Sequence, residues 1–217
     1  MKFFLIAIVT VVLFSSCSTT KITSRWKADT MPQASFNTVM AVVVAGNEDR
    51  PLIEKMEKHI AGDFNLMGYK GLTAFQEFGP KTLRGLNEPA LIAKLNEKGV
   101  DAVMMVSLLN KTKEKYYVPD RMQRTPYAYY NDRFQRHYDV IYERTIVPGY
   151  YAEDTRYFWE CSFYDTRSGK LLYSAISESF EPASLDGLAH QYGSLMVSDM
   201  VKEKIIIDKA SQSTFQK

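Results

Sequence analysis

Between positions 36 and 109 the apolar residues alternate between two rhythms. Residues 39–45, VMAVVVA, form a continuous β-branched run closed by Gly46 and Asn47. Such a run predicts a strand covered on both faces, the type found in parallel sheets. Pro51 suits a first helical turn. Leu52, Met56, Ile60, Phe64 and Met67 then recur at spacings of four, four, four and three, one apolar stripe of a helix that Gly68 can end. Residues 69–75 predict a short second strand. Asn87 can cap a second helix, with Leu91, Ile92 and Leu95 facing inward and Gly99 ending it. Residues 100–109, VDAVMMVSLL, predict another buried strand.

The order strand, helix, strand, helix, strand argues for βαβ units around a parallel core. Downstream the rhythm changes. Residues 135–147 and 155–165 predict long extended segments, and DTRSGK at 165–170 predicts a turn in which Gly169 takes a positive φ. Residues 171–180 return as the partner strand. Pro182 stops that strand, and Ser184 can cap a last helix to about Lys204, with Leu188, Tyr192, Leu195 and Met196 inward. The expected class is α/β with α+β character: a mixed sheet with a three-stranded βαβαβ core, an antiparallel hairpin extension and a C-terminal helix.

The amino-terminal end follows neither rhythm. Lys2 precedes an apolar run at 3–14, interrupted only by Thr10, and Ser15 and Ser16 lead directly into Cys17. Twelve helical residues span about 18 Å, short of a hydrocarbon core of about 30 Å, so a simple spanning anchor is disfavoured. The order of export signals is a charged start, an apolar run and small residues. Phe14-Ser15-Ser16-Cys17 resembles the lipobox of bacterial lipoproteins, with Phe14 where that family most often has Leu. The resemblance implies removal of 1–16 and a lipid on Cys17, hence palmitate-type acylation and membrane attachment; an ordinary signal peptide with an incidental cysteine is the alternative. In enteric members Asp after the cysteine marks inner-membrane retention, so Ser18 implies an outer-membrane lipoprotein. Without a following acidic cluster, a periplasm-facing position is expected.

Composition changes this picture little. The chain has 217 residues, 46% hydrophobic and 24% charged, with net charge +2, an ordinary globular balance that leaves no basic footprint for nucleic acid. Residues 17–35 are polar and read as a lipidated tether. Residues 36–207 read as a single globular domain carrying an insertion at 111–134, and 208–217 as a polar tail. Acylation of Cys17 would leave Cys161 as the sole thiol, so no intramolecular disulfide is expected.

Catalytic chemistry is thinly represented. No G-x-S-x-G, S-x-x-K set or H-E-x-x-H occurs. His59, His137 and His190 lie on three different predicted elements. Asp132, His137 and Asp139 are the one cluster that could hold a metal, but zinc wants three or four ligands and a solvated strand explains them better. Cys161 alternates with Trp159 and Phe163 and reads as a buried, inert thiol. GPKTLRG at 79–85 lacks the spacing of a phosphate-binding loop. No catalytic residue, metal or cofactor is therefore expected, and the chain is read as not an enzyme.

Tyrosine is the unusual feature. Ten of the fourteen fall within positions 116–157, interleaved with Arg121, Arg124, Arg133, Arg136, Arg144 and Arg156. Tyrosine and arginine supply large contact area with a polar tip and are enriched at interfaces. The stretch 116–133 is too long and turn-rich for a plain connector and reads as a long loop. Its Tyr116, Tyr117, Arg121, Arg124, Tyr127, Tyr129, Tyr130 and Arg133 are the candidate binding residues, whereas the tyrosines after Gln135 read as cross-strand packing in a ribbon. With the lipobox, the βαβαβ order and YDTRSGKLLYS ahead of the last helix, the chain resembles small lipoproteins of Gram-negative envelopes, and its element order is similar to the amino-terminal domain of Tol-system periplasmic proteins. The expectation is a lipid-anchored, non-catalytic envelope protein that binds a protein partner or its own copies through this segment, with no nucleic acid. The alternatives are a periplasmic domain whose tyrosines stack on a glycan or small molecule, and, behind it, a metal-dependent enzyme.

Overall fold

A computed structural model of the chain describes residues 20–32, 36–46, 49–79, 88–129, 139–180 and 182–214. In chain order its strands are β1 (Thr20–Lys27), β2 (Thr38–Val44), β3 (Lys70–Thr73), β4 (Ala102–Val118), β5 (Arg121–Tyr129), β6 (Asp139–Val147), β7 (Tyr150–Asp165) and β8 (Leu171–Phe180). Its helices are α1 (Arg50–Leu66), α2 (Ala74–Phe78), α3 (Glu88–Glu97), α4 (Leu185–Lys202) and α5 (Lys209–Thr214). The residues up to Thr112, together with those from Arg156 on, form one compact unit; Lys113 to Thr155 form a second.

In the first unit six strands lie in the order β1-β8-β7-β4-β2-β3. The β-branched run at 39–45 is β2, parallel to β3 on one side and to β4 on the other. Both of its faces are covered, as an uninterrupted apolar strand requires. Val39, Ala41 and Val43 join the main core, while Met40 packs with Ala74, Leu95, Val100 and Val103 across the sheet. The stripe Leu52, Met56, Ile60 and Phe64 is buried along α1, and Leu188, Tyr192 and Met196 are buried along α4. Gly68 ends α1 at φ +84 and Gly99 follows α3 at φ +64, both in the left-handed region that favours glycine. Ser184 caps α4, its Oγ accepting the Gly187 N–H at 2.9 Å.

The hairpin between β7 and β8 runs antiparallel around the turn at 165–170, where the Asp165 carboxylate accepts from the Arg167 N–H and the Ser168 hydroxyl. Trp159, Cys161 and Phe163 alternate onto the core side of β7. The mixed sheet, antiparallel hairpin and C-terminal helix follow the sequence expectation. Three local readings do not. Residues 74–78 leave the predicted second strand as the short α2, because the Thr73 Oγ1 accepts the Gln76 N–H and starts a helical turn. The polar tail opens with α5, whose Asp208 carboxylate accepts from Ser211 N–H and Oγ.

The third correction concerns the tether. Thr20–Lys27 is an edge strand, antiparallel to β8 from Thr20 opposite Ser179 to Lys27 opposite Tyr173. Charge holds it there. Arg25 pairs with Asp199 at 2.9 Å and with Glu203 at 3.3 Å, and Lys27 reaches Glu203 at 2.9 Å. Polarity concealed the strand: an edge strand needs one buried face at most, and β1 is largely exposed beyond Thr20.

Candidate functional site

The second unit is a two-stranded antiparallel ribbon with the ends of its neighbouring strands. β5 and β6 pair without a break from Arg121 opposite Val147 to Tyr129 opposite Asp139. The described part of the stretch read as a loop, 116–129, is therefore mostly extended: Tyr116 and Tyr117 lie at the end of β4, and Arg121, Arg124, Tyr127 and Tyr129 all belong to β5. Two prolines and a run of polar residues suggested a loop, yet Pro126 occupies a register position in β5, a two-stranded edge where a missing N–H is tolerated. Tyr130, Arg133, Asp132, His137 and Cys17 lie outside the described residues, and Asp139 opens β6.

The ribbon exposes what a core would bury. Met122 is 57% exposed and its register partner Ile146 65%. Tyr116, Tyr117, Tyr150 and Tyr151 are exposed as well, Tyr151 the most. Tyr117 and Tyr151 pack ring against ring at 5.3 Å, tilted by 56°. Gly149 makes that packing possible, since a Cβ there would lie 2.1 Å from the Tyr117 Oη and 2.9 Å from the Val118 carbonyl oxygen. Glu153 sits between Lys113 at 2.8 Å and Lys115 at 3.8 Å, and the Lys113 ammonium holds its carboxyl below the usual carboxylate range. Sequence reasoning missed Met122, Ile146, Tyr150 and Tyr151 as surface groups. The signal was present in Pro148-Gly149, which separates two extended runs and turns the chain between β6 and β7.

The first unit holds further titratable groups. Cys161 is fully buried, and burial pushes its thiol well above the ordinary range, which leaves it inert as a nucleophile. Glu57 is buried beneath the sheet, where its Oε1 accepts the Val43 N–H at 3.0 Å and its Oε2 the Phe75 N–H at 2.7 Å. Burial raises its pKa to about 7, against those two hydrogen bonds. One carboxylate thus ties α1 to the end of β2 and the start of α2, a structural assignment. His59 and His190, far apart in sequence, meet with ring centroids 5.5 Å apart where α1 runs beside α4. Asp63 lies with them, its pKa raised by burial and lowered by His190 and then His59. Among the described residues no group of three or more His, Cys, Asp and Glu is arranged to hold a metal ion.

Comparison with known proteins places no family on the chain: no family model matches it, and no curated protein does. Several solved structures are similar to it over most of its length. A PelC dodecamer from Paraburkholderia phytofirmans is similar over 79% of this chain and 89% of its own, at 8% identity and a TM-score of 0.42. Lipoprotein GNA1162 from Neisseria meningitidis is similar over 76% of this chain and 99% of its own, at 16% identity and a TM-score of 0.43. The hypothetical protein CT253 from Chlamydia trachomatis is similar over 77% and 96%, at 12% identity and a TM-score of 0.35.

Proposed function

We propose that this chain is a lipid-anchored, non-catalytic protein of the cell envelope, held to the outer membrane by Cys17 and presenting its Tyr/Arg-rich ribbon to a protein partner or to its own copies. The observation that carries the binding role is the exposed apolar pair Met122 and Ile146 on a two-stranded ribbon. Two strands alone are marginal in water, and they gain stability by packing their apolar side on a further surface. Rigid tyrosines beside that pair add contact area at low entropic cost. The lipobox-like Phe14-Ser15-Ser16-Cys17 supports the anchor.

Residues 113–155 hold seven basic and seven acidic side chains, so the ribbon does not repel a second copy and selects no strongly charged ligand. The test is a chemical crosslinking pull-down from membranes with the wild-type chain and with a Met122→Ser, Ile146→Ser variant. The wild type is expected to give a discrete crosslinked species that the variant loses. Identical crosslinked species in both would remove the ribbon from the interface. Intact-mass measurement of the chain from the membrane fraction tests the anchor separately.

A further inference from the structure

We infer that the corner of the sheet where β1 begins is itself a bilayer-contacting surface, with Phe180 and Leu185 seated at the level of the lipid headgroups. The inference rests on the acylation of Cys17 proposed above, and its argument is one of length. From Cys17 to Thr20 the chain takes three steps, about 11 Å when fully extended. Thr20 is not loose: it is buried, it pairs with Ser179, and the two hydroxyls lie 3.0 Å apart. The rest of β1 is fixed by its ladder to β8 and by the Arg25 and Lys27 ion pairs. No spacer intervenes between the acylated residue and the folded body. A lipid inserted in one leaflet would hold Thr20 within about 11 Å of the acylated residue, a reach on the scale of the headgroup layer, which is about 5–8 Å deep on each side.

The groups at the corner suit that position. Phe180 ends β8 next to Ser179 and is partly exposed, with the Arg156 guanidinium 4.9 Å from its ring centroid. Leu185, partly exposed, opens α4 five residues on. The Lys21 side chain, 71% exposed, pairs with Glu178 at 3.2 Å, and Arg156 approaches the same carboxylate at 3.7 Å. Asp186 accepts from Lys55 at 3.1 Å and lies 3.3 Å from the His59 Nε2. Both acids are therefore matched by cations, which lessens repulsion from an anionic surface. Aromatic and aliphatic side chains beside snorkelling Lys and Arg form the composition of a membrane interface.

The experiment uses the full acylated chain in vesicles of phosphatidylethanolamine and phosphatidylglycerol, with plain or brominated acyl chains. Leu185→Cys and Leu66→Cys variants each carry a bimane label; Cys161 is fully buried and does not compete. Leu66 is exposed at the far end of α1, eleven residues and about 16 Å along the helix from Lys55. Brominated lipid is expected to quench the label at 185 by roughly half and leave the label at 66 unchanged, as for a group within about 5–10 Å of the acyl boundary. Equal signals at the two sites on a chain whose intact mass shows acylation would overturn the docked corner while leaving the anchor standing. A chain recovered without acyl mass would overturn the anchor and the docked corner together.

Discussion

β2 and β5 are strands of seven and nine residues with opposite relations to water. β2 lies between two parallel neighbours with side chains buried on both faces, whereas β5 has a single partner, and in their ladder Met122 and Ile146 stand in solvent. The difference teaches where each unit's energy resides. Within the first unit a change is felt through packing, because each core residue touches several others. Within the ribbon the same loss of area costs little in the isolated chain and a great deal only if something else covers it.

Trp159→Ala sets the upper end of this contrast. Trp159 is fully buried on β7, stacks on Tyr157 at 6.1 Å and meets Tyr192 at 5.8 Å. Its removal is expected to cost about 3–5 kcal/mol by urea denaturation, since the cavity adds to the lost transfer energy. A loss below about 1 kcal/mol would mean that the core around α4 is far looser than its burial implies.

Glu57 gives the next largest effect, and it depends on pH. Its folded pKa of about 7 lies above the ordinary 4.5, so between those values the folded chain binds more protons than the unfolded one. Stability therefore falls as pH rises from about 4.5 to about 7, by roughly 3 kcal/mol for this group alone. Denaturation midpoints across that range should show the slope in the wild type and lose its Glu57 component in Glu57→Gln. The variant should also be weaker at low pH by about 1–3 kcal/mol, because an amide NH2 would face one of the two backbone N–H donors. Parallel pH profiles for the two proteins would show that Glu57 binds its proton equally well in the folded and unfolded chain.

Arg25→Ala addresses the strand that was read as tether. It leaves Asp199 buried with only the Tyr173 hydroxyl, at 2.6 Å, as its other named partner. The arginine is itself well exposed, which discounts the loss to about 1–2 kcal/mol. Hydrogen exchange should accelerate in β1 ahead of the other strands. Protection in β1 equal to that of β8 would mean the ladder holds the strand without the ion pairs.

The elements legible in the sequence were those whose apolar residues repeat. VMAVVVA, the α1 stripe from Leu52 to Phe64 and the β8 span all coincide with observed elements within a residue or two. β1 was illegible because its partner is a single strand and its side chains are mostly wet, so nothing apolar repeats. Residues 116–129 were misread for a related reason. Prolines and arginines rank as breakers and surface groups in isolation, but a two-stranded ribbon has free edges that admit both. The meeting of His59 with His190 could not be foreseen from spacing, since it depends on α1 and α4 lying side by side.

The smallest expected effect is the one that isolates the ribbon. Gly149→Ala places a methyl group 2.1 Å from the Tyr117 Oη in the observed arrangement, too close for any real contact. Tyr117 is exposed, so its ring can swing away by leaving Tyr151, but the Val118 carbonyl oxygen, 2.9 Å from the new methyl group, must also give way by a small backbone shift, and together these cost about 1 kcal/mol. The melting transition should then fall by no more than about 2–4 °C, while the ring resonances of Tyr117 and Tyr151 shift and the crosslinked species weakens. An unchanged crosslink beside shifted rings would assign binding to Met122 and Ile146 without the tyrosine pair. A fall well beyond that range would show instead that ribbon and body share stability, and the two regions would no longer differ in the way their burial implies.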